Sequence, residues 1–501
     1  MRSARRPLVG ILSAGALLSA GLVATASPPA AAAPADVVIN EMMFHALSDL
    51  DGDDYLELFN RGATPVDLSG WSFSGITLTL PAGTTIGAGG YLVVAKDAVQ
   101  FQATYGFAPA AVYGGNLSNS GETVALRDAA AATIDSVSFL DVDPWPVKAD
   151  GTGPSLELVD ASLENNDPLN WAAATNGAGR TPGAANSVRR VGLGPRVTDV
   201  VATPTTPAAG QPVTVTATIT GQTSAVLRYR IDFAAEQTVT MTSSGPDAYT
   251  ATIPGAAAGH LLRYRVSAAN AAATTLVPRV DDTIVYRGLV VPHGITSPIP
   301  IIEWFIADAD YNFMVANPLE EIVRFGAIAY NGQVIDNVEM NIKGHASRQN
   351  PKVSWKFHTP QGHDLDMPGL LVEPVDEFDM QADWADRSHG RAILSWEAYQ
   401  RAGTVNHQMF PIRSQRNGAF QGEYSLQETN DGTWREREGY DDKQFFEAET
   451  SAFSTRPANV QFSKKAPDET DFAPIAAFIA ASASPGPPSA TTCWPTRTSR
   501  R

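Results

Sequence analysis

The chain is predicted to fold as a multidomain protein, with two all-β sandwiches in series and then an incomplete α+β domain. Three observations predict this. Glycine (41) and proline (35) together exceed the usual share of roughly 12% in a chain of 501 residues, which favours turn-rich β structure. Short period-two runs recur between turn residues as far as about residue 287. From about residue 296 Trp, Phe, Glu and Lys become denser, and strand and helix patterns mix.

The first 33 residues read as an address rather than structure. Arg2, Arg5 and Arg6 precede an apolar run from Leu8 to Val23, then Ala24-Thr25-Ala26, and no acid appears before Asp36. That is the pattern of a secretory signal peptide over 1–33. A membrane anchor is the alternative, but the run is short and rich in Gly, Ala and Ser. No later stretch is long and apolar enough to span a bilayer, so the mature chain is expected to have no transmembrane anchor and to be secreted or held at the cell surface. Acids outnumber bases 53 to 36, for a net charge of −17, which argues against nucleic acid as a partner. A single cysteine excludes a disulfide framework and a thiolate metal site.

The first module is expected over 36–187. Val37–Glu41, Tyr55–Asn60, Val66–Phe73, Ile76–Leu80, Gly89–Ala95, Thr123–Leu126 and Ile134–Val137 are its strands, and Tyr55, Leu58 and Phe59 break strict alternation. Ile39-Asn40-Glu41, Leu56-Glu57-Leu58-Phe59-Asn60, Val66 to Trp71 and Gly90 to Val94, in that order, resemble the lamin-tail domain, an immunoglobulin-like sandwich. Thr181 to Asn186 is similar to the end of exported bacterial copies. The resemblance implies a binding or spacing unit. Asp49, Asp51, Asp53 and Asp54 crowd one loop, but an EF-hand needs Gly where Asp54 stands and an acid where Asn60 stands. A solvated acidic turn is the simpler expectation.

The second module is expected over 195–287, with strands at Val213–Ile219, Leu227–Ile231, Tyr249–Ile253 and Leu262–Val266 in a small immunoglobulin- or fibronectin-III-like sandwich. Arg228, Arg230, Arg263 and Arg265 alternate with apolar residues. They read either as an anion-binding strip or as ordinary outward-facing charge, and the second is expected.

The third module is expected over 296–480. Phe325–Tyr330, Asn331-Gly332 and Gln333–Ile335 read as a hairpin with a type I′ turn, Val338–Lys343 as a strand, and Ser388–Ala402 as a helix. On a strand, Val353, Trp355 and Phe357 share one face and Lys352, Ser354 and Lys356 the other. Two lysines near Arg348 have the chemistry to clamp phosphates, although such a face is ordinarily only solvated. A second hairpin turns at Asn417-Gly418, and Tyr424, Leu426 and Glu428 share one face. A Lys–Glu pair positions phosphates in phosphoryl transfer.

These segments resemble the spore-coat protein H (CotH) kinase family. Gly344 to Phe357 is similar to its first block, Asp379 to Asp386 to its next, Asn417 to Glu428 to its hairpin, and Phe462 to Glu469 to a later block. The resemblance implies an atypical protein-kinase-like fold that uses ATP and Mg2+ to phosphorylate Ser or Thr of a protein substrate. On it, Arg348, Lys352, Lys356 and Glu428 are the candidate cofactor-binding residues. Lys343, His345-Ala346 and Glu447 depart from the family pattern. Asp383, Asp386, Glu428 and Asp431 do not make the late Asp pair that the family implies, so no catalytic residue is assigned and the metal ligands stay open. Residues 481–501 have no periodicity and read as a disordered or out-of-frame tail.

The predicted class is thus two immunoglobulin-like sandwiches followed by an incomplete α+β kinase-like domain. The expected function is that of an exported CotH-like protein, inactive as written. The alternative is a non-catalytic binding or adhesion protein for an extracellular or cell-surface partner. A lamin-tail-bearing nuclease is disfavoured, because neither a metal-ligand cluster nor a basic groove is apparent.

Overall fold

The computed structural model describes residues 34–440, 444–448, 462–466 and 472–482; the expected leader 1–33, the end of the expected block 462–469 and the expected tail 481–501 from residue 483 on lie outside them, residues 481 and 482 closing helix Ala473–Ser482. The described chain is β-rich and multidomain. Its first module packs a six-stranded sheet against a three-stranded one. The larger sheet runs in the order Trp171–Ala173, Leu156–Leu158, Val37–Met43, Tyr55–Asn60, Tyr91–Ala95 and Ala111–Val112. The smaller holds Ser72–Ser74, Glu122–Arg127 and Thr133–Phe139. Leu56, Leu58, Trp71, Val124, Phe139 and Trp171 lie in the core between them.

The broken alternation of Tyr55–Asn60 has a physical cause: every residue of the strand is buried. Leu56 and Leu58 face the sandwich core, while Tyr55 packs with Phe101 of helix Ala98–Tyr105 on the other side. That helix was not anticipated, although its caps are readable. Asp97 accepts from the Val99 and Gln100 N–H groups, and Gly106 ends the helix at φ 87°.

Two strand expectations need correction. Val66–Phe73 is broken into Val66–Asp67 and Ser72–Ser74, because Asp67 accepts from the Ser69 N–H and hydroxyl and Gly70 turns at φ 75°. Ile76–Leu80 makes only isolated bridges, because its backbone bonds go to the Trp71 and Phe73 turn instead.

The second module is a sandwich. One sheet contains Arg196–Thr203, Val213–Thr220, Ala248–Ile253 and Thr242–Gly245. The other contains Gln237–Thr240, Ser224–Ile231 and Leu261–Ala269, with Thr274–Val277 and Arg287–Val290 in line along its last edge. Strand Val213–Thr220 alternates buried and accessible residues as its sequence does.

The arginine reading is corrected. Arg228 lies opposite Arg265 and Arg230 opposite Arg263, so the four do sit on adjacent strands. Three of the four are ion-paired, and Arg230 donates instead to the Phe233 and Ala234 carbonyls. Glu236 pairs with Arg228 at 3.1 Å and with Arg265 at 2.7 Å. Arg263 is buried and pairs with Asp336 of the third module at 2.9 Å.

The third module, expected as an incomplete α+β domain, is built around a closed seven-stranded barrel. Its strands follow the order Ile301–Phe305, Arg324–Tyr330, Gln333–Lys343, Ser354–His358, Glu377–Gln381, Ala419–Glu428 and Met409–Arg416. The last closes on the first through a parallel pairing of Ile301 with Arg413. Both expected hairpins are present, with Asn331 (φ 47°) and Gly332 (φ 90°) in one turn and Asn417 (φ 48°) and Gly418 (φ 76°) in the other.

Helix Arg391–Arg401 lies within the expected 388–402 but buries no residue, and leaves Leu394 and Tyr399 exposed. In the barrel core Trp304 packs tilted against Trp355 at 5.0 Å, and Phe357 stacks on Phe378 at 5.1 Å. Trp304 is fully buried, and its indole N–H donates to Ser414 Oγ at 2.9 Å. Trp304→Ala is therefore expected to cost about 3–5 kcal/mol, read as a lower urea midpoint at unchanged slope.

Residues 279–286 tie the three modules together. Arg279 donates to the Trp171 carbonyl at 2.6 Å, and Asp281 accepts from Ala173 N–H at 3.1 Å. Asp282 bonds His363 of the barrel at 2.7 Å, and the Thr283 hydroxyl donates to the Gln361 carbonyl at 2.6 Å. Gln361 in turn donates to Asp150 of the first module at 2.6 Å.

Candidate functional site

The β-ladder decides which predicted site residues can meet. Lys356 pairs with Asp379, which pairs with Gln427, so these three side chains share the outer wall of the barrel. Phe357 pairs with Phe378, which pairs with Glu428, and these point inward. Lys356 and Glu428 therefore stand on opposite faces of the same wall and cannot form the Lys–Glu pair expected of a phosphate grip.

Each of the four candidates has its own partners. Glu428 is buried at the barrel end, bonded to Gln408 N–H at 2.5 Å and ion-paired with Arg437. Burial pushes its carboxyl above the ordinary range, against the pull of these partners. Lys352, expected on a strand face with Lys356, lies in the bend before strand Ser354–His358, over the Tyr424 ring at 4.2 Å. Its ammonium donates to the Ala382 carbonyl at 2.8 Å and to the Glu423 carbonyl. Burial lowers its pKa. Arg348 is buried and pairs with Glu321 at 2.8 Å. Lys356 pairs with Glu377 at 2.6 Å. Burial opposes its charge, but this carboxylate holds its pKa above the usual lysine value.

Of the four, Lys356 lines a cleft. That cleft, of about 370 Å³ on the outer wall, also takes in Lys343, Asp379, His407, Asp431 and Arg435. Lys343 is ion-paired with Asp379, whose carboxyl is pushed up by burial. His407 stacks on Trp434 at 4.9 Å, and burial with the neighbouring Arg437 charge pushes it down to about 4, so it is neutral at physiological pH. Asp431 is pushed up to about 7 by burial and by Asp376. Its Oδ1 caps helix Gly432–Glu438 by accepting from Trp434 N–H at 2.8 Å. The cleft thus carries charges of both signs, of which Lys343 with Asp379 and Lys356 with Glu377 are paired, while Arg435 donates to the Asp431 main-chain carbonyl. It can hold a polar ligand that competes for those pairs.

Sequence reasoning named Asp431 only as an available acid, and it missed His407 and Arg435. No local motif marks them, because the fold gathers them from separate loops and a helix.

The acidic loop of the first module is solvated only in part: Asp49 and Asp51 are exposed. Asp53 and Asp54 are buried. Asp53 accepts from Ser48, Thr104 and Gln100, and Asp51 from Asn116. Among the described residues no group of three His, Cys, Asp or Glu side chains is placed to hold a metal ion. No helix of the described chain is long and apolar enough to cross a membrane.

No curated protein matches the chain. Among solved structures, the Br derivative of BhCBM56 is 10% identical over 17% of this chain and 85% of that one, with a TM-score of 0.14. The cycloalternan-degrading enzyme from Trueperella pyogenes is 14% identical over 28% of this chain and 18% of its own, with a TM-score of 0.15. The sporulation control protein Spo0M from Bacillus subtilis is 9% identical over 42% of this chain and 98% of its own, with a TM-score of 0.14. At these scores the likenesses carry no argument about fold or function. Residues 30–141 match the family model of the Lamin Tail Domain, the family finding for the first module.

Proposed function

We propose that the chain is an extracytoplasmic binding protein, built on its lamin-tail and immunoglobulin-like modules, and that its barrel does not transfer phosphate. The observation that carries this reading is the placement of Lys356 and Glu428 on opposite faces of the barrel wall. Arg348 and Lys352 add to it, each held by partners of its own. These residues do not fit Mg-ATP as a set. The leader pattern of residues 1–33 supports export.

A CotH-like phosphotransferase is the second reading. It is favoured by the ordered motifs and by Lys343 and Lys356 lining one cleft. Incubation of the full chain with γ-labelled ATP, Mg2+ or Mn2+ and casein separates the two. The binding reading expects no label on either protein. Label that disappears in Lys356→Ala would establish the second reading.

A further inference from the structure

One side of the second module is a bare strand edge. Gln237–Thr240 ends one sheet of the sandwich and Thr242–Gly245 ends the other, and Met241, buried between them, carries the chain across. Met241 N–H donates to the Ala225 carbonyl at 3.0 Å, which fixes the hydrogen-bonding alternation of the first of these strands. Val239 also bonds inward, and the N–H and C=O groups of Thr238 and Thr240 point outward. Among the described residues no strand pairs with Gln237–Thr240 on that side, and no hydrogen bond reaches it from there. Thr238, Thr240, Thr242, Ser243 and Ser244 are all exposed, so the approach to the edge is clear.

Edges of this kind are ordinarily guarded by a lysine, a proline or an inward-pointing charge. None of these stands between Gln237 and Gly245. Charge selects the occupant. The chain carries −17, so two copies repel over most of their surface. This edge is uncharged, and Glu236 at its head is held by Arg228 and Arg265. A peptide of either sign gains no ion pair along it, whereas an identical strand meets no like charge. Laid antiparallel about a two-fold axis at Val239, that strand sets Thr238 against Thr240 of the other copy, twice over. These are the residues whose backbone groups point outward, so each pair can exchange both of its N–H···O=C bonds.

We infer that the chain forms a two-fold dimer in which a second copy adds its own Gln237–Thr240 strand to this edge. The pairing consumes the edge in both copies, so assembly stops at two. The inference goes beyond the binding reading and does not depend on it.

The test is sedimentation velocity of the full chain over a concentration series. A monomer–dimer equilibrium is expected. Thr238→Lys combined with Thr240→Lys sets lysine against lysine and should weaken the dimer by about tenfold or more, and glutamate at the same two sites should do the same. Mixing the two double variants should restore a dimer with one copy of each, which also shows that both are folded. A wild type that stays monomeric at its highest soluble concentration, variants that dimerise as tightly as wild type, or a mixture that does not pair overturns the proposal. Oligomers that grow past the dimer overturn it too, since they need a head-to-tail contact. If the wild type is monomeric yet binds a labelled threonine- and valine-rich peptide, and the lysine variant does not, the occupant is an unrelated strand and the proposal is wrong.

Discussion

Arg263→Ala is expected to destabilise the chain by about 3–5 kcal/mol, the cost of stripping one partner from a buried ion pair. Arg263 and Asp336 have only 6% and 2% of their side chains exposed, and they join the second module to the barrel at 2.9 Å. The guanidinium also donates to the Asp232 carbonyl at 2.5 Å and lies over the Phe233 ring at 4.5 Å. Asp336 accepts from Tyr286 N–H at 3.0 Å, but one N–H cannot replace a lost cation. The double variant Arg263→Met with Asp336→Asn is expected to recover much of the loss, because no uncompensated charge stays buried. Urea unfolding of the single and double variants checks this. A loss below about 1 kcal/mol for Arg263→Ala, the scale of an exposed pair, would show that the seam is open to water.

The first module is expected to lose stability as pH rises from about 4 to 9. Three groups set the sign. Glu57 is pushed up to about 9, by burial first and by the Glu41 charge next. Asp54 is pushed up to about 8 by burial and by Asp51. Burial works against the charged form of His45, but hydrogen bonds to Asp150 and Asp49 win and raise it to about 9. In each case the folded chain keeps a proton that the unfolded chain has lost. The windows run from the ordinary value to the raised one, so stability falls across them by about 1.4 kcal/mol per proton and pH unit. Glu41, beside Glu57, is raised as well, by burial above all. Carboxyls held low, such as Asp49 and Asp160, act only below the ordinary carboxyl range and do not oppose this trend. Protection factors for amide exchange in Val37–Met43 and Tyr55–Asn60 should fall between pH 5 and 9. Constant or rising protection would contradict the assignment.

The strands of the sandwiches were legible because their burial follows period two, as in Val213–Thr220, where valine and isoleucine fill the core and threonine faces out. Tyr55–Asn60 was legible as a strand but not as one buried on both faces, since the covering helix and the Thr181–Val188 segment come from elsewhere in the chain. The arginine strip misled for the same reason. Nothing near Arg263 announces Asp336, 73 residues away. The barrel's closure was hidden too, because the parallel pairing of Ile301–Phe305 with Met409–Arg416 joins segments that share no local pattern. At the candidate site, alternation correctly placed Trp355 and Phe357 inside and Lys356 outside, and put Tyr424, Leu426 and Glu428 on one buried face. What alternation within each strand cannot give is the register between them, and that register separates Lys356 from Glu428.

Calorimetric titration of Mg-ATP into the full chain bears most directly on the claim that the barrel holds no nucleotide grip. The account predicts no saturable heat, with wild type and Lys356→Ala indistinguishable. Saturable binding that Lys356→Ala and Glu428→Gln each abolish, with both variants folded, would contradict it.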